Sequence, residues 1–411
     1  MLRCGLLGHR LSHSYSPIIH EAFGGYSYEL FEVESYNLAA FMNRRDIHGF
    51  NVTIPYKRDV IPYCDELSST ARSVNSVNTV LRRADGSLYG DNTDVYGFSS
   101  MVKHSGIDVR SKKVLILGSG GGSVSVLHVM REMQAGQVVV VSRSGENNYE
   151  NISRHLDAQI IINTTPVGMY PHTGKSPVDI RIFKHLEGVL DLVYNPARTA
   201  LLMDAETLGI PHLNGLIMLV EQARAASELF RGQPLAAGKE NQLVKMLRQK
   251  MENLILIGMP GCGKSVIGRL LADKTNKTFI DADSVLEEDA GISIPEIFNR
   301  EGEVGFRTRE SEVLEKLGKQ SGLVIATGGG CVTRPINYAH LHQNGTIIFL
   351  ERDISKLERE GRPLSQGNLY EMHEKRLPLY REFVDITVQN NEQMEAVVNN
   401  IAEAVYENFG N

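Results

Sequence analysis

Lys113-Val-Leu-Ile-Leu-Gly118-Ser-Gly120-Gly121-Gly122-Ser123 and Asn253-Leu-Ile-Leu-Ile-Gly258-Met-Pro-Gly261-Cys262-Gly263-Lys264-Ser265 decide the fold. Each is a short apolar run that breaks into glycines ahead of a helical stretch, the pattern of a buried strand turning into a helix N-terminus. Without Cβ atoms the backbone N–H groups of such a loop crowd round an anion, where the helix dipole also favours negative charge. Two loops of this kind imply two nucleotide sites.

The loops differ at their C-terminal ends. The second fits the full G-x-x-x-x-G-K-[ST] pattern of a nucleoside triphosphate site, with Lys264 to reach the β- and γ-phosphates and Ser265 to hold Mg²⁺. The first has no lysine, only small residues, and reads as a dinucleotide loop.

At 411 residues the chain exceeds what one core supports, so two or three domains are expected. Apolar content of 42%, charged content of 22% and a net charge of −6 give no bulk electrostatic reason to bind nucleic acid, and point to small-molecule partners. Cys4, Cys64, Cys262 and Cys331 lack C-x-x-C spacing, so neither a disulfide framework nor a zinc site is implied and a reducing cytoplasm fits. No apolar run approaches the length that spans a bilayer, and the N-terminus lacks a signal pattern, so no membrane association is expected.

Strand-like runs at Leu2–Gly8, Val114–Leu117, Val138–Val141, Ile160–Ile162, Val189–Val193, Leu254–Ile257, Leu323–Ile325 and Thr346–Leu350 alternate with helical stretches, which predicts parallel α/β sheets. Lys239–Met251 spaces Leu243, Leu247 and Met251 four apart, one apolar stripe of a helix, and a strand begins at Leu254. This places a boundary near residues 250–253, with a short linker.

Ahead of the first loop lie polar clusters that a plain nucleotide domain does not need. Each alone suits a cap or a turn; their order carries more. Gly8…Ser14-x-Ser16-Pro17, Asn51-Val-Thr53-x-Pro55-x-Lys57, Gly90-Asp-Asn92-Thr-Asp94, the Gly118–Ser123 loop, Asn163-Thr-Thr-Pro-Val-Gly168-Met169, Asp191-x-Val-Tyr194 and Asn214-Gly215-Leu-x-Met218-Leu-Val-x-Gln222 together resemble shikimate dehydrogenases, from residue 3 to about 247. The resemblance implies hydride transfer from NADPH to 3-dehydroshikimate, giving shikimate. Carried over, Lys57 is the catalytic acid/base and Asp94 its partner, with Ser14, Ser16, Thr53, Asn78, Tyr194 and Gln222 around the substrate. The cofactor falls to Gly118, Gly120, Gly121, Gly122, Ser142, Arg143, Ser144, Gly215 and Met218. Arg143 at the end of the second strand, where an NAD site places Asp or Glu, favours the 2′-phosphate of NADP. Gly145-Glu146-Asn147-Asn148 stands where the family carries a second basic residue, and the interval to Asn163 is short for the family.

After the second loop, Asp281-Ala-Asp283, Phe306-Arg307, Gly328-Gly329-Gly330, Arg362-Pro363-Leu364 and Arg376-Leu-Pro378 look like shikimate kinase over about residues 253–408. That resemblance assigns ATP to Gly258, Gly261, Cys262, Gly263, Lys264, Ser265 and the lid residue Arg362, and metal to Ser265 and Asp281. It gives shikimate to Asp283, Arg307, Gly329, Gly330 and Arg376. Lys264, Asp283 and Arg362 take the catalytic roles, Asp283 orienting and deprotonating the attacking hydroxyl. Cys262 at a helix N-terminus also raises the expectation of a reactive thiol whose modification inactivates the kinase.

The implied fold class is α/β: a two-lobed dehydrogenase with a Rossmann-like NADP domain, then a P-loop domain like the nucleoside monophosphate kinases. The implied domains are 1–97 with 217–250 returning to it, 98–216, and 251–411. Together they suggest a bifunctional enzyme that makes shikimate and then shikimate 3-phosphate, and a homo-oligomer stays open. The alternatives are a kinase fused to a non-catalytic or quinate-specific dehydrogenase-like module, and a ligand-sensing regulator that has lost the chemistry.

Overall fold

A computed structural model describes residues 2–11, 14–357 and 369–408. Contacts group the chain into two compact units: Met1–Val167 with Ser176–Tyr194 and Asp204–Val244, and Gly168–Lys175 with Asn195–Met203 and Lys245–Asn411. The first unit holds two sheets and the second holds one.

The first sheet contains Leu2–Gly8 (β1), Tyr26–Glu32 (β2), Gly49–Val52 (β3), Glu66–Leu67 (β4), Thr79–Arg82 (β5) and Leu88–Asp91 (β6), in the order β2-β1-β3-β5-β6-β4. Strands β1, β2 and β3 are parallel, but β5 runs antiparallel to both β3 and β6. Leu2–Gly8, the strand of this sheet read from the sequence, pairs in parallel on both sides, while the antiparallel strand β5 is one the sequence reading did not name. Between β5 and β6 the reversal is local: Gly86 sits at φ 91°, and a tight turn between neighbouring strands can only reverse the chain. Leu7, Phe50, Val52, Tyr56 and Val80 pack in the core that backs this sheet.

The second sheet, Lys113–Leu117 (β7), Gln137–Val141 (β8), Ile160–Asn163 (β9), Gly188–Asp191 (β10) and His212–Asn214 (β11), is parallel throughout, in the order β11-β10-β9-β7-β8. Strand β7 lies between β8 and β9, so the order reverses beside it and a crevice opens at its carboxyl end, where the glycine loop sits. Between β8 and β9 the only helical element is the 3₁₀ turn Ile152–His155, which accounts for the short interval.

The third sheet, Asn253–Ile257 (β12), Thr278–Asp281 (β13), Leu323–Ala326 (β14), Gly345–Glu351 (β15) and Ile386–Gln389 (β16), runs parallel in the order β13-β14-β12-β15-β16. Strand β12 is central and buried along its length, which explains its unbroken apolar run. Its phosphate loop leads into the helix Lys264–Thr275. The helix Lys239–Met251 forms as its spacing predicts, with Leu243, Leu247 and Met251 buried.

Candidate active sites

In the first unit the turn after β3 carries Lys57, anchored by the fully buried Tyr56. Asp94 lies in the first turn of the helix Thr93–Ser105, whose N-cap Asn92 accepts from the Val95 N–H. Lys57 Nζ donates to Asp94 Oδ2 at 2.6 Å, and Asn78 Nδ2 donates to Asp94 Oδ1 at 2.9 Å. The Lys57 and Asp94 side chains are 19% and 11% exposed, so water screens the pair only in part. Helix Leu216–Arg231 crosses close by, because a Cβ on Gly97 would lie 2.6 Å from the Met218 carbonyl oxygen. That approach brings Gln222 Oε1 to 3.5 Å from the Thr93 hydroxyl.

The remaining residues expected around the substrate are placed locally. Ser14 Oγ accepts from the Ser16 N–H at 3.2 Å. Tyr194 meets Tyr15, the residue between those serines, edge to face at 6.1 Å, and burial pushes its hydroxyl up to about 12. The Thr53 N–H donates to the Leu7 carbonyl. Ser12 and His13 lie outside the described residues.

Gly118, Ser119, Gly120, Ser142, Arg143 and Ser144 line a cavity of 640 Å³ at the end of β7. Gly118 sits at φ 106°, and a Cβ there would lie 2.8 Å from Thr164 Oγ1, so glycine is required. Four residues assigned to the cofactor stand outside this lining. Gly121 and Gly122 begin the helix Gly121–Glu132, a Cβ on Gly215 would lie 2.1 Å from the Leu192 carbonyl oxygen, and Met218 lies in the first turn of its helix. Sequence reading gave no role to Tyr149, Thr164 or Thr165, which also line the cavity. The two threonines were legible within Asn163-Thr-Thr-Pro, whereas Tyr149 carries no local signal.

In the second unit a cavity of 680 Å³ gathers Gly261, Gly263, Lys264, Ser265, Asp281, Asp283, Arg307, Gly329, Gly330 and Arg376. Gly258, Gly261 and Gly263 adopt φ 146°, 81° and 97°, a backbone that glycine takes without strain and that a phosphate-binding loop requires. Lys264 Nζ donates to the carbonyls of Gly258 and Met259 at 2.9 and 3.1 Å. Ser265 Oγ donates to Asp281 Oδ2 at 2.7 Å, while Asp281 Oδ1 accepts from the Asp283 N–H and caps the next helix. A hydroxyl beside a carboxylate is an all-oxygen donor set, which suits Mg²⁺ holding most of its own waters.

Burial, reinforced by the Asp281 and Glu310 carboxylates, raises Asp283 to about 6 against the pull of Lys264 and Arg307. Arg307 Nη1 donates to Glu310 Oε2 at 2.7 Å, and a Cβ on Gly330 would run into its guanidinium. Arg376 and Tyr380 both donate to the Gly329 carbonyl. Glu310 is a residue of this cavity that sequence reading missed. It is 2% exposed in the floor of the cavity, and its signal was the i, i+3 spacing from Arg307 on one helix face.

The Cys262 thiol is fully buried, which corrects the expectation of a reactive cysteine: the loop folds its side chain inward, away from solvent reagents. Arg362 lies outside the described residues.

A family model described as the shikimate dehydrogenase substrate binding domain matches residues 6–80, and one described as shikimate kinase matches residues 260–406. A shikimate dehydrogenase (NADP(+)) of Clostridium perfringens is 34% identical over 265 residues, covering 59% of this chain and 97% of that protein. One of Clostridium beijerinckii is 36% identical over 270 residues, covering 61% and 97%. Among solved structures, a chorismate mutase/shikimate 5-dehydrogenase fusion protein from Clostridium acetobutylicum superposes with a TM-score of 0.58 at 33% identity, covering 61% of this chain and 98% of its own.

Proposed function

The chain belongs to the shikimate dehydrogenase family and carries a shikimate kinase domain behind it, and from that premise we propose how its residues run the two reactions in turn. The first reduces 3-dehydroshikimate to shikimate; the second converts shikimate to shikimate 3-phosphate. NADPH supplies the hydride, and ATP with Mg²⁺ supplies the phosphoryl group. The lobes we assign are 1–97 with 217–250 for the first substrate, 98–216 for NADP and 251–411 for the kinase. We place the protein in the reducing cytoplasm; its four cysteines are free, and no described helix is long and apolar enough to cross a membrane.

The observation that carries the reduction is the Lys57–Asp94 pair at 2.6 Å. As negative charge grows on the ring oxygen, the Lys57 ammonium donates its proton, while Asp94, itself fixed by Asn78, holds it at that spot. Arg143 meets the 2′-phosphate as a charge-assisted donor. Arg143→Ala is expected to raise the KM for NADPH by about tenfold with kcat nearly unchanged, since a remote phosphate contact acts equally in ground and transition states. Equal KM values for the variant and the parent chain would remove Arg143 from the cofactor site.

For the kinase, phosphoryl transfer asks mostly for positioning and charge neutralisation. Lys264 leaves the loop carbonyls for the phosphates, Ser265 and Asp281 take the metal, and Arg307 and Arg376 clamp the substrate carboxylate. Asp283 accepts the proton of the attacking hydroxyl, which only its ionised form can do. With Asp283 raised to about 6, kcat/KM for shikimate is expected to fall about tenfold per pH unit below about pH 6 and to level off above it. A profile flat down to about pH 5 removes Asp283 as the base.

The whole reading is tested on the purified chain with 3-dehydroshikimate, NADPH and Mg-ATP, following NADPH loss by absorbance and shikimate 3-phosphate by mass spectrometry. Phosphorylation of added shikimate without NADPH oxidation would leave a working kinase joined to a binding module.

A further inference from the structure

Behind Lys57 and Asp94 lies a buried chain of hydrogen bonds whose middle member has no role in the mechanism so far. Thr79 opens β5 and is fully buried. Its hydroxyl accepts from Asn51 Nδ2 at 3.0 Å and lies 3.0 Å from Asn78 Oδ1 and 3.1 Å from the Thr93 hydroxyl. Asn51, Asn78 and Thr93 are themselves 6%, 3% and 4% exposed.

Backbone groups fix the direction of this chain. The Thr93 N–H donates to Asn78 Oδ1 at 2.7 Å, so the other arm of that amide, Nδ2, is the one facing Asp94. Asn51 Nδ2 also reaches the Asn78 carbonyl at 3.4 Å, and Tyr28 donates to Asn51 Oδ1 at 2.8 Å. With both amides oriented, the Thr79 hydroxyl accepts on the Asn51 side and has its proton to give to Asn78 or Thr93. Thr93 in turn stands between Asn78 and Gln222. One hydroxyl thus joins the β3 scaffold to Asn78, through Asn78 to the catalytic Asp94, and through Thr93 to Gln222. Among groups this buried, water does not replace a lost partner.

We propose that Thr79 is a positioning residue for the reduction, its hydroxyl holding Asn78 and through it the Lys57–Asp94 pair. The inference rests on the reading of that pair as the proton donor.

The test compares Thr79→Val, Thr79→Ala and Thr79→Ser in the full chain. Valine keeps the shape without the hydroxyl, alanine loses both methyl and hydroxyl, and serine loses only the methyl. Because Asn78 keeps its backbone donor, the two variants without a hydroxyl should lose about tenfold in kcat for 3-dehydroshikimate, with the KM for NADPH unchanged. Thr79→Ser should stay within about twofold of the parent. Rates that follow side-chain size, with serine as impaired as alanine, overturn the proposal, as does a parental kcat in both Thr79→Val and Thr79→Ala. If Thr79→Val misfolds, shown by loss of NADPH binding, the alanine and serine pair decides alone. A parent chain that oxidises no NADPH with 3-dehydroshikimate would sink the underlying reading, which is a separate failure from a hydroxyl-independent kcat in a working enzyme.

Discussion

Lys57→Met should lower 3-dehydroshikimate reduction by about 10³-fold, within the range that positioned proton transfer contributes, while shikimate phosphorylation by the same molecule continues at its parental rate. Methionine keeps the length and the apolar stem of lysine and removes only the ammonium. The KM for NADPH should not move, because Lys57 is outside the cavity that Gly118 and Arg143 line. The substitution also leaves Asp94, 8% exposed, with Asn78 as its remaining side-chain donor, and an unpaired buried carboxylate costs stability. Lys57→Met combined with Asp94→Asn should therefore recover stability and none of the rate. Recovery of rate in the double variant, or less than about tenfold loss in the single one, would show that the proton comes from elsewhere.

Asp283→Asn should cut phosphorylation by about 10³-fold and at the same time make the second unit more stable at neutral pH. Both effects have one cause. Asp283 rises from 3.8 to about 6 because burial and the carboxylates of Asp281 and Glu310 disfavour its charge. The folded state then binds more protons than the unfolded chain between those values, so stability falls as pH rises through the window, and the penalty is complete above about 6. Asparagine has the same outline and no charge, and should return about 1–3 kcal/mol above that pH, with the gain vanishing towards pH 4. Thermal unfolding across pH measures this directly. A variant that is both inactive and less stable at neutral pH would mean that Asp283 is held in place by Lys264 and Arg307 more than it is repelled.

These expectations draw unequally on sequence and structure. The glycine loops, the central strand β12 and the helix Lys239–Met251 could be read directly, because a positive φ and an apolar period leave marks on neighbouring residues. The antiparallel turn at Asp85-Gly86 was equally local and was missed by counting only the parallel alternation. Glu310 shows a different limit. A glutamate on a helix is ordinary in sequence, and only burial beside Arg307 makes it part of the site. Cys262 reverses that case, since its position in the loop suggests reactivity and its burial denies it.

By itself, the sequence determined that there are two phosphate loops, which nucleotide each suits, and the family of each half, because those features are short-range and each is carried by a few adjacent residues. Tertiary structure decided which polar groups meet. Lys57 and Asp94 are 37 residues apart, Thr93 and Gln222 are 129 apart, and no periodicity links them. Their encounter is fixed by how β3, β5 and the helices after them pack. Packing also sets burial, and so whether a carboxylate stays ionised, a thiol is reached, or a threonine hydroxyl has anything to hold.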